Sequence, residues 1–150
     1  MEKTNYLILG SGVAGLTFAL KMATRFPDRK ITIITKGDED ESNTKYAQGG
    51  VAVVTSEITD SYQDHIEDTL IAGAGLCDLS VVEMVIKNGP KRLQELISWG
   101  ANFDKNKTGN FDLGMEGGHS ASRVLHHKDQ TGFEIEQKIL CFSSYHMCNR

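Results

Sequence analysis

The chain has 150 residues, 39% of them apolar and 24% charged, with a formal net charge of −4 and a pI near 5.7. That length suits one domain with a usable core, and the mild acidity argues against nucleic acid or an anionic membrane as partner. No apolar run approaches the roughly 18 residues of a membrane span, and polar Met1 to Asn5 is unlike a signal peptide.

Cys77, Cys141 and Cys148 match no metal-ligand spacing and leave one thiol unpaired. A reducing compartment, the cytoplasm, and no metal are therefore expected. Glycine is abundant, at 15 residues, and much of it is clustered where backbone can approach a ligand closely.

Tyr6-Leu7-Ile8-Leu9 reads as a buried strand ending in glycine. A helix follows from Val13 to Arg25, with Leu16, Leu20 and Ala23 on one face. Pro27-Asp28 stops it, and β-branched Lys30 to Thr35 is the second strand. Strand, glycine turn, helix and strand make a βαβ unit. Asp38 to Glu41 is an acidic, solvated loop, and Val51 to Val54 is a short strand. Asp60 or Ser61 caps a helix to about Ala72, ended by Gly73-Ala74-Gly75.

Ser80-Val81-Val82-Glu83 has the pattern of a capping box for the next helix, which Gly89-Pro90 breaks or restarts before Trp99-Gly100. Leu93, Leu96, Ile97 and Trp99 fall at helical spacing and read as core. Residues 101–128 look irregular, with a turn at 106–110. Thr131-Gly132-Phe133-Glu134 caps a last helix to about Leu140. The run 141–150 fits neither helical nor strand periodicity. The fold class is thus α/β: a Rossmann-like βαβ nucleotide-binding domain, incomplete, with a helical segment and an irregular loop.

In the turn Gly10-Ser11-Gly12-Val13-Ala14-Gly15, the first glycine permits the tight turn, the second lets backbone approach a pyrophosphate, and the third lets helix pack on strand. The amides of Ser11 to Leu16 then face the phosphates at the positive end of the helix dipole. The acid that usually holds a ribose about 20 residues on is replaced by Thr35 and Lys36. That disfavours NAD held in the ordinary way, while Lys36 leaves NADP open. Ser42 to Gly50 adds hydroxyls, two amides and two closing glycines, a donor set suited to the acceptor edge of a flavin.

The turn, Thr35-Lys36-Gly37 and Asn43-Thr44-Lys45-Tyr46-Ala47-Gln48-Gly49-Gly50 closely resemble the flavoprotein family of succinate dehydrogenase, fumarate reductase and L-aspartate oxidase. The likeness continues through Asp64 to Gly75, Glu116 to Ser120, Arg123 to His126 and Thr131-Gly132, so it covers about residues 4–140. It implies FAD as cofactor, bound by Gly10 to Gly15, Lys36 and Asn43 to Gly50. Members with covalent flavin carry histidine where this chain has Asn43, so non-covalent FAD is implied.

The segment Met115 to Ser120 resembles the L-aspartate oxidase branch, in which its glutamate faces the substrate's α-ammonium. Glu116 is accordingly the expected specificity residue, and His119 and Ser120 are further substrate-site candidates. His126 could donate to substrate or flavin but is more readily structural, and His65 reads as a hydrogen-bonded packing residue. The implied reaction is FAD-dependent oxidation of L-aspartate to iminoaspartate, with fumarate or oxygen as final acceptor. Quinolinate synthase would consume the product on the route to NAD.

No catalytic residue is expected within the chain. The family's catalytic arginine and its capping domain correspond to positions beyond residue 150, and Arg123 is not assigned that role. Residues 1–140 read as part of a FAD-binding domain and 141–150 as an atypical tail from a truncation or frameshift. The expectations are weak flavin affinity and no turnover by the chain alone. A soluble fumarate reductase and an inactive nucleotide-binding fragment are the alternative readings.

Overall fold

The computed structural model describes residues 3–148, with side chains as far as Ser143. Its elements in chain order are β1 (Tyr6–Leu9), α1 (Val13–Arg25), β2 (Ile31–Ile34), β3 (Val51–Ala52), α2 (Tyr62–Ala72), α3 (Leu79–Ser98), β4 (Leu113–Gly114), β5 (Val124–Leu125) and α4 (Thr131–Cys148).

β1 and β2 pair in parallel, from Tyr6 opposite Ile31 to Leu9 opposite Ile34, and α1 is the crossover between them. The expected βαβ unit is therefore present, with β2 one residue shorter at each end. α1 buries Leu16, Ala19 and Leu20, a stripe at helical spacing. α4 lies against α1, and Leu16, Leu20, Leu93, Leu125, Ile135 and Ile139 meet in one core. Each such side chain contributes roughly 1.5–3 kcal/mol by leaving water. Leu96, Ile97 and Trp99 pack around this cluster, as their spacing implied.

α2 begins at Ser61, whose hydroxyl accepts from the Asp64 N–H at 2.9 Å. α3 begins differently from expectation. Its cap is Asp78, whose Oδ1 accepts from the Ser80 N–H at 2.8 Å and the Val81 N–H at 3.2 Å. The Ser80 hydroxyl also donates to that carboxylate, so no capping box forms at Ser80.

α3 also runs unbroken through Gly89-Pro90 for 20 residues. Pro90 costs one intrahelical hydrogen bond, but Ile86 and Leu93 on either side of it are buried. Core burial on both sides of the proline offsets the lost bond.

Residues 101–128 are more ordered than their sequence suggests. β3, β5 and β4 form a three-stranded antiparallel sheet, with Val51 and Leu113 both opposite Leu125. A bridge between Lys105 and Phe111 closes the expected turn. Strands of two residues show no period, which explains why the pattern missed them. The same shortness reduces the expected strand at 51–54 to Val51–Ala52.

α4 does not stop near Leu140 but continues to Cys148, through a stretch that holds neither glycine nor proline. Asn149 and Arg150 of the tail, and the side chains from Ser144 onward, lie outside the described residues, as do Met1 and Glu2. Among the described residues, no helix is long and apolar enough to cross a membrane.

Candidate flavin site

The glycine turn is closed by contacts that demand glycine. Gly10 has φ +104° and donates its N–H to the Ile34 carbonyl at 2.8 Å, fixing the turn to the end of β2. A Cβ on Gly15 would collide with the Gly10 carbonyl, so α1 can fold back on the turn only without one. Ser11 is buried and donates its hydroxyl to Thr35 Oγ1 at 3.1 Å. Val13 and Ala14 open the helix on its exposed side.

Two of the amides expected to face phosphates are already engaged. The Val13 N–H donates to Thr44 Oγ1 at 3.1 Å, and the Leu16 N–H to the Gly12 carbonyl at 3.0 Å. The first of these bonds joins the turn to the second loop. A Cβ on Gly12 would stand 3.4 Å from Thr44 Oγ1, so the two segments lie close together here.

Between them lies a cavity of about 570 Å³ whose lining includes Gly10, Ser11, Gly12, Lys36, Asn43 and Thr44. The sequence-predicted residues Lys45 and Tyr46 are not in this lining. Lys45 Nζ pairs with Asp40 Oδ2 at 3.0 Å and with Glu41 Oε2 at 3.7 Å. The Tyr46 hydroxyl donates to Glu41 Oε1 at 2.7 Å. Asp40 and Glu41 are thus anchors for the loop, which corrects the reading of 38–41 as merely solvated. These hydrogen bonds raise the pKa of both Lys45, through Asp40, and Tyr46, through Glu41.

Ala47, Gln48, Gly49 and Gly50 carry the loop away from the cavity toward the antiparallel sheet. A Cβ on Gly50 would come within 2.5 Å of the Leu125 carbonyl, and one on Gly49 within 3.4 Å of Glu116 Oε1. The end of the loop therefore meets the Glu116 carboxylate.

His119 donates its N–H to the Glu116 carbonyl at 3.1 Å, and its ring stands edge-on to His65 with centroids 5.8 Å apart. His65 is buried, as expected of a packing residue, but among the described residues its Nδ1 has no hydrogen-bond partner, and neither has the Nδ1 of His119. Burial, then Arg123 and His119, lower the His65 pKa. His126 Nδ1 lies 3.3 Å from Asp104.

Ser120 is held from behind. Its N–H and hydroxyl donate to Asp68 Oδ2 at 2.7 and 2.8 Å. That carboxylate also receives Arg123 Nη1 at 2.5 Å, while Arg123 Nη2 reaches Asp60 Oδ1 at 2.7 Å. The Arg123 guanidinium is fully buried between the two aspartates. Burial pushes the Asp68 carboxyl up, but the Ser120 and Arg123 donors outweigh it and hold its pKa down to about 2. Arg123 is neutralised where it stands and anchors the 116–123 segment to α2.

The sequence reading gave two residues at the loop, Gly132 and Glu136, no part in it. Gly132 is buried at the start of α4, and a Cβ there would collide with the Thr44 carbonyl. Glu136, one turn on, is 1% exposed and accepts from the Ser42 hydroxyl at 2.6 Å. The available signal was the spacing of Gly132, Glu136 and Leu140 along one face of a helix, which places a small residue and an acid among apolar ones.

Residues 5–139 match the family described as FAD binding domain. The chain belongs to that family. L-Aspartate oxidase of Arabidopsis thaliana is 47% identical over 136 residues, covering 91% of this chain and 20% of that protein. L-Aspartate oxidase of Yersinia pestis is 46% identical over 147 residues, covering 95% and 27%. An E. coli quinol fumarate reductase superposes with a TM-score of 0.88 at 30% identity, covering 95% of this chain and 24% of that one. The chain thus spans about a fifth to a quarter of the length of these relatives.

The fold is that of the FAD-binding domain in succinate dehydrogenase and fumarate reductase flavoproteins, mixing helices with short strands. FAD is the cofactor of the family, and the site fits it. Gly10 and Gly12 keep the cavity wall free of side chains, Lys36 offers positive charge, and Ser11, Asn43 and Thr44 offer polar groups.

Proposed function

We propose that this FAD-binding domain chain forms part of the cofactor site of an L-aspartate oxidase, an enzyme that oxidises L-aspartate to iminoaspartate. The observation that carries the reading is the meeting of the flavin loop with Glu116, at Gly49. A carboxylate at the end of that loop favours a substrate bearing an α-ammonium and disfavours a plain dicarboxylate. The 46–47% identity to L-aspartate oxidases supports the same choice.

In this reading the β1–α1–β2 unit begins a Rossmann-like sheet, and residues 1–140 are one part of the FAD-binding domain. The tail beyond residue 140 is read as atypical, and a capping domain outside 1–150 supplies the cationic ligands of the substrate carboxylates. FAD, when bound, supplies a two-electron acceptor. Gly10 to Gly15 and Lys36 would hold its phosphates, and Asn43 to Gly50 would border the ring. The side-chain amide of Asn43 is not nucleophilic, so the cofactor is held without a covalent bond. Glu116 orients the amino group, with His119 and Ser120 fixing the segment around it. Fumarate or oxygen would serve as final acceptor, and quinolinate synthase as consumer of the product on the way to NAD. A reducing compartment such as the cytoplasm suits the thiols.

The test is titration of FAD into the chain, followed by acid precipitation. Weak saturable quenching of flavin fluorescence, with all flavin recovered in the supernatant, is expected. Flavin in the pellet would overturn the non-covalent assignment, and absence of any saturable binding would overturn the site. Stronger perturbation of the bound flavin spectrum by fumarate than by aspartate would favour a fumarate reductase instead.

A further inference from the structure

We propose that Glu136 is a positioning residue for the flavin loop, acting through Ser42 to hold Thr44 against the glycine turn. The chain of contacts is continuous. The Ser42 hydroxyl donates to Glu136 Oε1 at 2.6 Å, the Thr44 N–H donates to that same Ser42 oxygen at 3.0 Å, and the Thr44 hydroxyl oxygen receives the Val13 N–H at 3.1 Å. One buried carboxyl on α4 thereby reaches the first turn of α1 through two loop residues. The inference rests on the FAD reading for its consequence, though not for its geometry.

A serine hydroxyl donating to a carboxylate makes a charge-assisted bond, roughly twice as strong as a neutral one. It also fixes which way the Ser42 oxygen turns its lone pairs, and so where the Thr44 amide can sit. Glu136 is 1% exposed, and its second oxygen, Oε2, is buried with no hydrogen-bond partner among the described residues. An acid so placed costs stability, which makes it a poor candidate for simple packing in a helix that otherwise buries Ile135 and Ile139.

The surroundings make the latch proton-sensitive. Burial pushes the Glu136 carboxyl above the ordinary glutamate range; the Ser42 donor opposes this, and Asp40 adds to it. Lys45 opposes the rise and Glu41 adds to it, both from the segment before β3. α1, also packed on α4, brings apolar Leu16 and Leu20 to the shared core. Ionised, Glu136 holds Ser42 firmly. Protonated, it accepts weakly, and the loop loosens from the turn.

The test is hydrogen exchange of the loop amides in the full chain without ligand, corrected for the intrinsic pH dependence of exchange, with FAD titration alongside. Protection of the Thr44 amide should fall about tenfold as pH drops through the raised glutamate range. Glu136→Gln keeps the shape of the side chain and should abolish that step. Ser42→Ala should abolish it too, and adding Glu136→Gln to Ser42→Ala should change nothing further. If Glu136→Gln fails to fold, the size of the Thr44 step relative to the amides of α2 in the unaltered chain decides, since Ser42→Ala removes the Thr44 acceptor itself. A pH step that survives either substitution, or that appears equally in amides of α2, overturns the latch. An intact step with no FAD binding overturns the cofactor reading and leaves the latch standing. FAD binding with no step does the reverse.

Discussion

Gly132 and Ala47 meet backbone to backbone. The Gly132 N–H donates to the Ala47 carbonyl at 2.9 Å, and a Cβ on Gly132 would stand 2.8 Å from that same oxygen. It would also collide with the Thr44 carbonyl. No side-chain rotation relieves a clash between Cβ and backbone, so Gly132→Ala must push α4 off the flavin loop. A loss of about 1–3 kcal/mol is expected, read from urea unfolding. Gly117→Ala, where a Cβ would meet nothing within 4 Å, is the control and should leave the midpoint unchanged.

The Arg123 ion pairs predict a large asymmetry between breaking and replacing. Arg123→Met would strand Asp60 and Asp68 without their shared cation, at a cost of about 3–5 kcal/mol. The double replacement of Asp60 and Asp68 by asparagine in that background should cost less than the sum of the separate changes. Denaturant midpoints of the series measure this, and strict additivity would rule out a coupled cluster.

The same cluster sets an acid limit. The Asp68 pKa is depressed to about 2 in the folded chain from the ordinary 3.8. A depressed carboxylate stabilises above its unfolded pKa, and that stabilisation is lost as pH falls from the ordinary value toward the folded one. Wild type should therefore lose stability across that interval. Asp68→Asn should be weaker at neutral pH and flatter below the ordinary carboxylate range. Parallel acid-unfolding curves for the two proteins would refute the assignment.

At the start of α3, Asp78→Ala should lower stability more than Ser80→Ala. The Asp78 carboxylate accepts two helix amides, while the Ser80 hydroxyl only donates to that carboxylate. Thermal midpoints of the two variants decide it.

In the flavin-loaded protein, Glu116→Gln should weaken aspartate about tenfold more than fumarate, because only the amino acid brings an ammonium to that carboxylate. Ligand-induced changes in flavin absorbance give both affinities, and equal losses would remove Glu116 from any specificity role.

Sequence was a good guide where a local rule governs and a poor one where distant segments meet. The extent of α1 could be read from Val13 to Arg25 because its apolar stripe, its glycine start and Pro27 all agree. Pro90 misled because local propensity disfavours it while the buried neighbours Ile86 and Leu93, drawn in by tertiary packing, hold the helix together. The 42–50 loop stood out as a motif, but not that Lys45 and Tyr46 would turn to Asp40 and Glu41. Glu136 could not be assigned to the loop at all, since its partner lies 94 residues earlier. A hydrogen bond across such a separation leaves no periodic trace.

That separation also orders events in time. Residues 42–47 leave the ribosome well before α4 exists, yet Ser42 and Ala47 take their bonds from Glu136 and Gly132. Closing so long a loop carries an entropic cost that local helices do not share. α1, the β1–β2 pair and the bonds within residues 38–47 depend on nearby contacts, while the bonds of Ser42 and Ala47 to α4 need the last helix. The loop is therefore among the first parts made, and its anchorage to α4 is among the last contacts that can be completed.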